Sequence, residues 1–148
     1  MKQAGAFVES EKLNAGYYGT SLSVIEKFDI QYKIPVFIVD PDAAGRLKHI
    51  FMELNMNVVD ILIISTEEKV LNSEEGIDSA VDILVSRIKS RNRSTDAKRS
   101  IFEQRKAHAK EWLMNRRRST YIVANIEDNL LKAIEKVEEI IFTINYLN

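Results

Sequence analysis

The sequence predicts an α/β fold with a short, mostly parallel sheet and flanking helices. Three observations carry this. Runs of β-branched and aromatic residues stand at 6–8, 36–39 and 58–64. Between and after them, apolar residues recur at three- and four-residue steps, the spacing of a helix face. Glycine, proline and asparagine mark the junctions. Strands alternating with helices of roughly 10–15 residues build parallel sheets through right-handed crossovers. The order over residues 6–89 therefore reads β-α-β-α-β-α, a Rossmann-like pattern, and C-terminal helices follow.

Ala6-Phe7-Val8 reads as the first strand, and Asn14 to Gly19, with two glycines, as a loop. Thr20 or Ser21 caps a helix with Leu22, Ile25 and Phe28 on its apolar face. Pro35 ends that helix, because proline disfavours helical geometry in the residue before it. Val36-Phe37-Ile38-Val39 fits a strand buried on both faces, and Asp40-Pro41-Asp42 stops it. A second helix runs from about Ala43 to Leu54, with Leu47, Ile50, Phe51 and Leu54 inward, and Asn55-Met56-Asn57 breaks it. Val58 to Ile64 is a strand interrupted by Asp60. A third helix runs from Gly76 or Ile77 to Lys89, with Ile77, Val81, Leu84, Val85 and Ile88 inward. After a polar linker at 91–95, a helix from Asp96 to about Arg116 carries Ile101, Phe102, Ala109, Trp112 and Leu113. Residues 121–124 suit either a last strand or the start of the last helix. Asp128 to Tyr146 is strongly helical and apolar on more than one side near its end, the pattern of a helix that is buried or pairs with another.

The length of 148 residues suits about one domain's worth of core. We divide it into an α/β domain at 1–90 and a basic helix plus a long C-terminal helix at 91–148, packed on that domain or used for oligomerisation. The chain has no cysteine, which excludes a disulfide scaffold, a thiolate zinc site and a cysteine nucleophile. Two histidines, His49 and His108, leave little for a histidine-rich metal site. No apolar run approaches the roughly 20 residues that span a bilayer. The first residues lack the apolar stretch of a signal peptide. The expectation is a cytoplasmic protein with no membrane partner.

The formal charge of −1 hides an asymmetry. Residues 1–86 carry a net −7, residues 87–118 a net +9 and residues 119–148 a net −3. A local excess of this size attracts phosphates whatever the mean charge, and points to nucleic acid. Arg91, Arg93, Lys98, Arg99, Arg105, Lys106, Arg116, Arg117 and Arg118 are the candidate contacts, with Trp112 and Tyr121 among them as stacking candidates. Trp112 also falls in register with Leu113, Ala109 and Phe102, which suits core packing. A basic arm folded against the acidic remainder of the chain would show the same pattern.

Two further places can carry chemistry. Gly16, Gly19, Thr20 and Ser21 stand in a loop after a strand and before a helix. There the first helical amides and the positive end of the helix dipole face an anion. A capped turn without a ligand uses the same residues. Asp40 and Asp42 end the central strand, and Glu9 ends the preceding one; together they can hold Mg²⁺. Asp42 as a helix cap is the structural alternative.

These residues carry two resemblances. Ala6 to Ser10, Gly19-Thr20-Ser21-Leu22 and Ile34-Pro35-Val36-Phe37 resemble the later half of a SLOG-type Rossmann domain, similar to the DNA-processing protein A (DprA) family. That resemblance covers about a quarter of the chain. It implies a nucleotide or DNA phosphate held by Gly19, Thr20 and Ser21, without catalysis. Val36 to Gly45, with Asp-Pro-Asp-Ala-Ala-Gly, is similar to the Asp-x-Asp-x-x-Gly motif of Toprim domains. It implies a Mg²⁺-dependent nuclease using Glu9, Asp40 and Asp42. The sequence expectation is thus a nucleotide- or DNA-binding module without catalysis. The Toprim-like enzyme is the alternative, and a non-catalytic oligomer assembled through the C-terminal helix a further one.

Overall fold

The computed structural model describes residues 7–13, 16–21, 34–91, 99–127 and 129–146. They form four α-helices and two two-stranded sheets, one antiparallel and one parallel. The chain divides into two compact units, Met1–Val59 and Asp60–Asn148.

In the first unit, β1 (Phe7–Leu13) pairs antiparallel with β2 (Gly16–Ser21). Glu9 lies opposite Thr20 and Ser10 opposite Gly19. This corrects the expectation of a glycine loop at Gly16–Ser21. Tyr17, Tyr18 and Thr20 favour extended backbone, and pairing with β1 gives their amides and carbonyls partners. The helix expected after Ser21 falls at 22–33, outside the described residues.

Residues 34–40 belong to no helix or strand among the described residues. Val36 is 74% and Ile38 98% exposed, while Phe37 turns inward and packs on Phe51 with ring centroids 5.7 Å apart. The expected central strand is therefore a segment outside regular structure, alternately exposed and half-buried. β-branched side chains select extended dihedrals; they do not supply a neighbouring strand. The Rossmann-like order is therefore not confirmed among the described residues.

Helix α1 (Pro41–Glu53) starts here. Asp40 is its N-cap, accepting from the Ala43 N–H at 2.8 Å, and Pro41 occupies the first helical position. Ala43, Leu47 and Phe51 form its buried stripe. The helix ends at Asn55 with φ 58°. Met56 N–H donates to Phe51 O at 2.9 Å and Asn55 N–H to Met52 O at 3.0 Å, the paired bonds of a Schellman end. The expected break at Asn55 thus has its cause in the tolerance of asparagine for left-handed backbone.

In the second unit, β3 (Ile61–Ile64) pairs parallel with β4 (Tyr121–Ala124), Ile61 opposite Tyr121 and Ile64 opposite Ala124. The connection holds a 3₁₀ turn at Glu68–Asn72, α2 (Glu74–Ser90), α3 (Arg99–Met114) and a short 3₁₀ turn at Arg116–Arg118. Helix α4 (Leu130–Tyr146) follows β4 and packs against it, and Ala133 and Ile140 are its buried residues. Ile64, Leu71, Ala80, Val81 and Leu113 make the core, with Leu62, Ile77, Leu84 and Ile122 packed on it. A boundary at 90/91 would separate β3 and α2 from the α3 and β4 that complete this core. The ambiguous run 121–124 is a strand because β3 offers it a parallel edge.

Asp60 fastens the start of that sheet. Its carboxylate accepts from the Thr120 hydroxyl at 2.6 Å and the Thr120 N–H at 3.2 Å, and its carbonyl accepts from Tyr121 N–H at 3.1 Å. The polar interruption in an apolar run is therefore a clamp between two strand beginnings.

Candidate functional site

The basic segment 87–118 does not form one positive face; its charges sort into three groups. The first group meets α2. Glu74, Asp78 and Asp82 recur at four-residue steps on α2, and Lys106 and Lys110 stand four apart on α3. Lys110 Nζ lies 2.6 Å from Asp78 Oδ1 and 3.6 Å from Glu74 Oε1, and Lys106 Nζ lies 3.7 Å from Asp82 Oδ1. The hydrogen bond to Asp78 holds the Lys110 ammonium above the ordinary lysine range, against a partial desolvation that lowers it. These pairs are solvent-exposed, so they set the docking of α3 on α2 more than they stabilise it.

The second group points inward. Both terminal nitrogens of Arg87 donate to the Asn125 carbonyl at 3.0 Å, tying α2 to the residue after β4. Arg116 is only 6% exposed. Its Nη1 donates to Leu113 O at 3.1 Å and its Nη2 to Asn72 Oδ1 at 3.2 Å, while Nε–H finds no acceptor among the described residues. Lys89 caps the Phe102 ring at 5.4 Å, a cation–π contact.

Arg91, Arg105, Arg117 and Arg118 form the third group and are exposed. Arg93 and Lys98 lie outside the described residues, as does the side chain of Arg99. The nine-residue nucleic-acid set is therefore corrected at Arg116, which is buried. Arg116 is an internal fastener, and Lys106 already faces a carboxylate. Trp112 is half-buried and its ring lies 5.6 Å from that of exposed His108, next to buried Leu113, so it belongs to the packed side of α3. His49 is exposed with Nδ1 3.4 Å from Glu53 Oε1.

In the first unit, Gly16, Gly19, Thr20 and Ser21 lie in β2. Asp40 and Asp42 stand at the start of α1, with Asp42 exposed in the first turn. Helix α1 lies against β1, the strand that contains Glu9. Among the described residues no three histidines or carboxylates converge; the Glu9 side chain is outside that set. Gly45, the glycine of the Asp-x-Asp-x-x-Gly pattern, is exposed, and a Cβ there would meet nothing within 4 Å. Neither crowding nor left-handed backbone requires glycine at this position, although alanine would favour the helix by about 1 kcal/mol.

Reading the sequence alone missed Asn72, Asn125 and Thr120 as partners of Arg116, Arg87 and Asp60. The matched four-residue stripes of Glu74, Asp78, Asp82 and Lys106, Lys110 were the one signal available. No protein-family model matches the chain, and no curated protein matches it significantly. Among the described residues, no helix is long and apolar enough to cross a membrane.

Proposed function

We propose that the chain acts on nucleic-acid phosphodiesters with a divalent cation held by Glu9, Asp40 and Asp42. The observation that carries this reading is the packing of α1 on β1. It puts the helix start bearing Asp40 and Asp42 in one compact unit with the strand bearing Glu9. The donor set is carboxylate oxygen alone, which suits Mg²⁺ over softer metals. Asp40 gives Oδ1 to the Ala43 N–H, and a carboxylate has further lone pairs for a cation. A cation bound there would neutralise and polarise a phosphate oxygen. The unexplained glycine at 45 supports the same reading, since a bare backbone on the first turns of α1 leaves room for a substrate. The non-catalytic phosphate loop is less well supported, because its residues lie in a strand paired with β1.

The test is incubation of the full chain with labelled single- and double-stranded DNA, with and without Mg²⁺. We expect cleavage that needs Mg²⁺ and falls in Asp40→Asn by at least the roughly 10–100-fold that even outer-shell changes at metal sites cost. Asparagine caps a helix as well as aspartate does, so the melting temperature of Asp40→Asn should stay at the wild-type value. Binding without cleavage would overturn the catalytic reading and restore the non-catalytic module. Absence of both would overturn any nucleic-acid reading.

A further inference from the structure

We infer that nucleic-acid phosphates are contacted by Arg117 and Arg118, and not by the lysine-bearing face of α3. This rests on the nucleic-acid reading above and narrows it to one short turn. The argument is a sorting of charges. Lys106 and Lys110 face Asp82, Asp78 and Glu74 across the α2–α3 contact, so a polyanion arriving there meets three carboxylates. Arg87 and Arg116 are spent on backbone carbonyls and Asn72. Arg117 and Arg118 are exposed, and neither meets a carboxylate among the described residues.

The turn that carries them is held from both sides. Arg116 anchors it inward on Leu113 O and Asn72. Arg118 N–H donates to Asn115 O and Ser119 N–H to Arg116 O, both at 3.0 Å. Thr120, just beyond, is bound to the Asp60 carboxylate at 2.6 Å. Two cations on a fixed backbone lose less freedom on binding than two on a loose arm. Guanidinium groups pair with phosphate through two parallel hydrogen bonds, as they do with carboxylate, and the nucleic-acid reading above selects the phosphate backbone as the partner. A purely structural role, complementing the C-terminal dipole of α3, would show in stability and not in salt dependence.

The experiment is fluorescence anisotropy of labelled single-stranded DNA across a salt series. It compares the wild type with Arg117→Gln/Arg118→Gln and with Lys106→Gln/Lys110→Gln, two pairs that lower the net charge equally. Each lost phosphate contact on a single strand reduces the log–log salt slope by about 0.7, so the arginine pair should reduce it by roughly 1.4. The lysine pair should leave the slope unchanged, and Arg117→Lys/Arg118→Lys should retain most of it. Equal slopes for both glutamine pairs, or an unchanged slope in the arginine pair while the wild type binds, would overturn the assignment and leave the nucleic-acid reading standing. No wild-type binding at low salt would overturn both. A fall in melting temperature of the arginine pair without a change of slope would assign the turn a structural role only.

Discussion

Gly76→Ala should destabilise the second unit, although alanine is the better helix former. Gly76 is the third helical residue of α2, and its N–H donates to the Ser73 N-cap hydroxyl at 3.1 Å. On propensity alone, alanine would gain about 1 kcal/mol. A Cβ there would run into the Val70 carbonyl oxygen, lie 2.8 Å from its carbonyl carbon and 3.2 Å from Ser73 Oγ. The obstacle is backbone, so no rotamer change relieves it. Moving the Val70 carbonyl moves Leu71, which is 1% exposed in the core. Disturbing a packed residue in this way costs about 1–3 kcal/mol. A weakened cap adds about 0.5–2 kcal/mol. After the propensity gain, the net loss is about 0.5–4 kcal/mol. At about 4–8 °C per kcal/mol for a unit of this size, the melting temperature should fall by roughly 2–30 °C. Thermal melting by circular dichroism measures it, with Ser79→Ala at an exposed position of α2 as the control that should gain a few tenths of a kcal/mol. If Gly76→Ala melts at or above the wild type, the close approach of Val70 to Gly76 is refuted.

Two further predictions concern charges. Arg116→Met keeps the apolar stem and removes a buried cation, trading two charge-assisted bonds of about 1.5–3 kcal/mol each against a desolvation cost of several kcal/mol. It should stay within about 1 kcal/mol of wild type in chemical denaturation, whereas Arg116→Ala should lose about 2–4 kcal/mol by leaving a void; equal losses in both would refute the balance. The Lys110 ammonium should titrate above the ordinary lysine range by NMR and return towards it in Asp78→Asn. The sign follows from linkage: a raised folded pKa means the pair's contribution is whole at neutral pH and disappears as pH rises through that value. An unshifted Lys110 in the wild type would contradict the pairing.

What was legible in the sequence shares one property: its cause is local. The break at Asn55 acts within four residues of itself, so pattern reading finds it; the Ser73 cap and the proline opening α1 are equally local, although the sequence reading started those helices later, at Gly76 or Ile77 and at Ala43. The strands are different, because a strand exists only if a partner lies beside it. Val36–Val39 has the composition of a central strand and no partner among the described residues. Gly16–Ser21 has the composition of a loop and pairs along its whole length with β1. Tyr121–Ala124 was ambiguous until Ile61–Ile64 lay next to it. Asp40 and Asp42 were read as ligands, with Asp42 as the alternative helix cap; the helix start uses Asp40 as its cap instead, and Asp42 lies in the first turn.

The arginines show why a charge count is a weak guide to a binding surface. Arg116, Arg117 and Arg118 are identical and consecutive, and composition assigns them one role. Burial divides them, because Leu113 and Asn72 offer acceptors to the first, and among the described residues nothing comparable reaches the other two. The lysines could have been sorted in advance, since acidic and basic stripes at matching four-residue steps are written in the sequence of α2 and α3. A net +9 over 32 residues therefore overstates the field that a ligand meets. Charges closed within about 4 Å by carboxylates release few counterions when DNA arrives, whereas unpaired ones release about one each. The salt slope counts the latter alone, so it measures the interface where the formal charge does not.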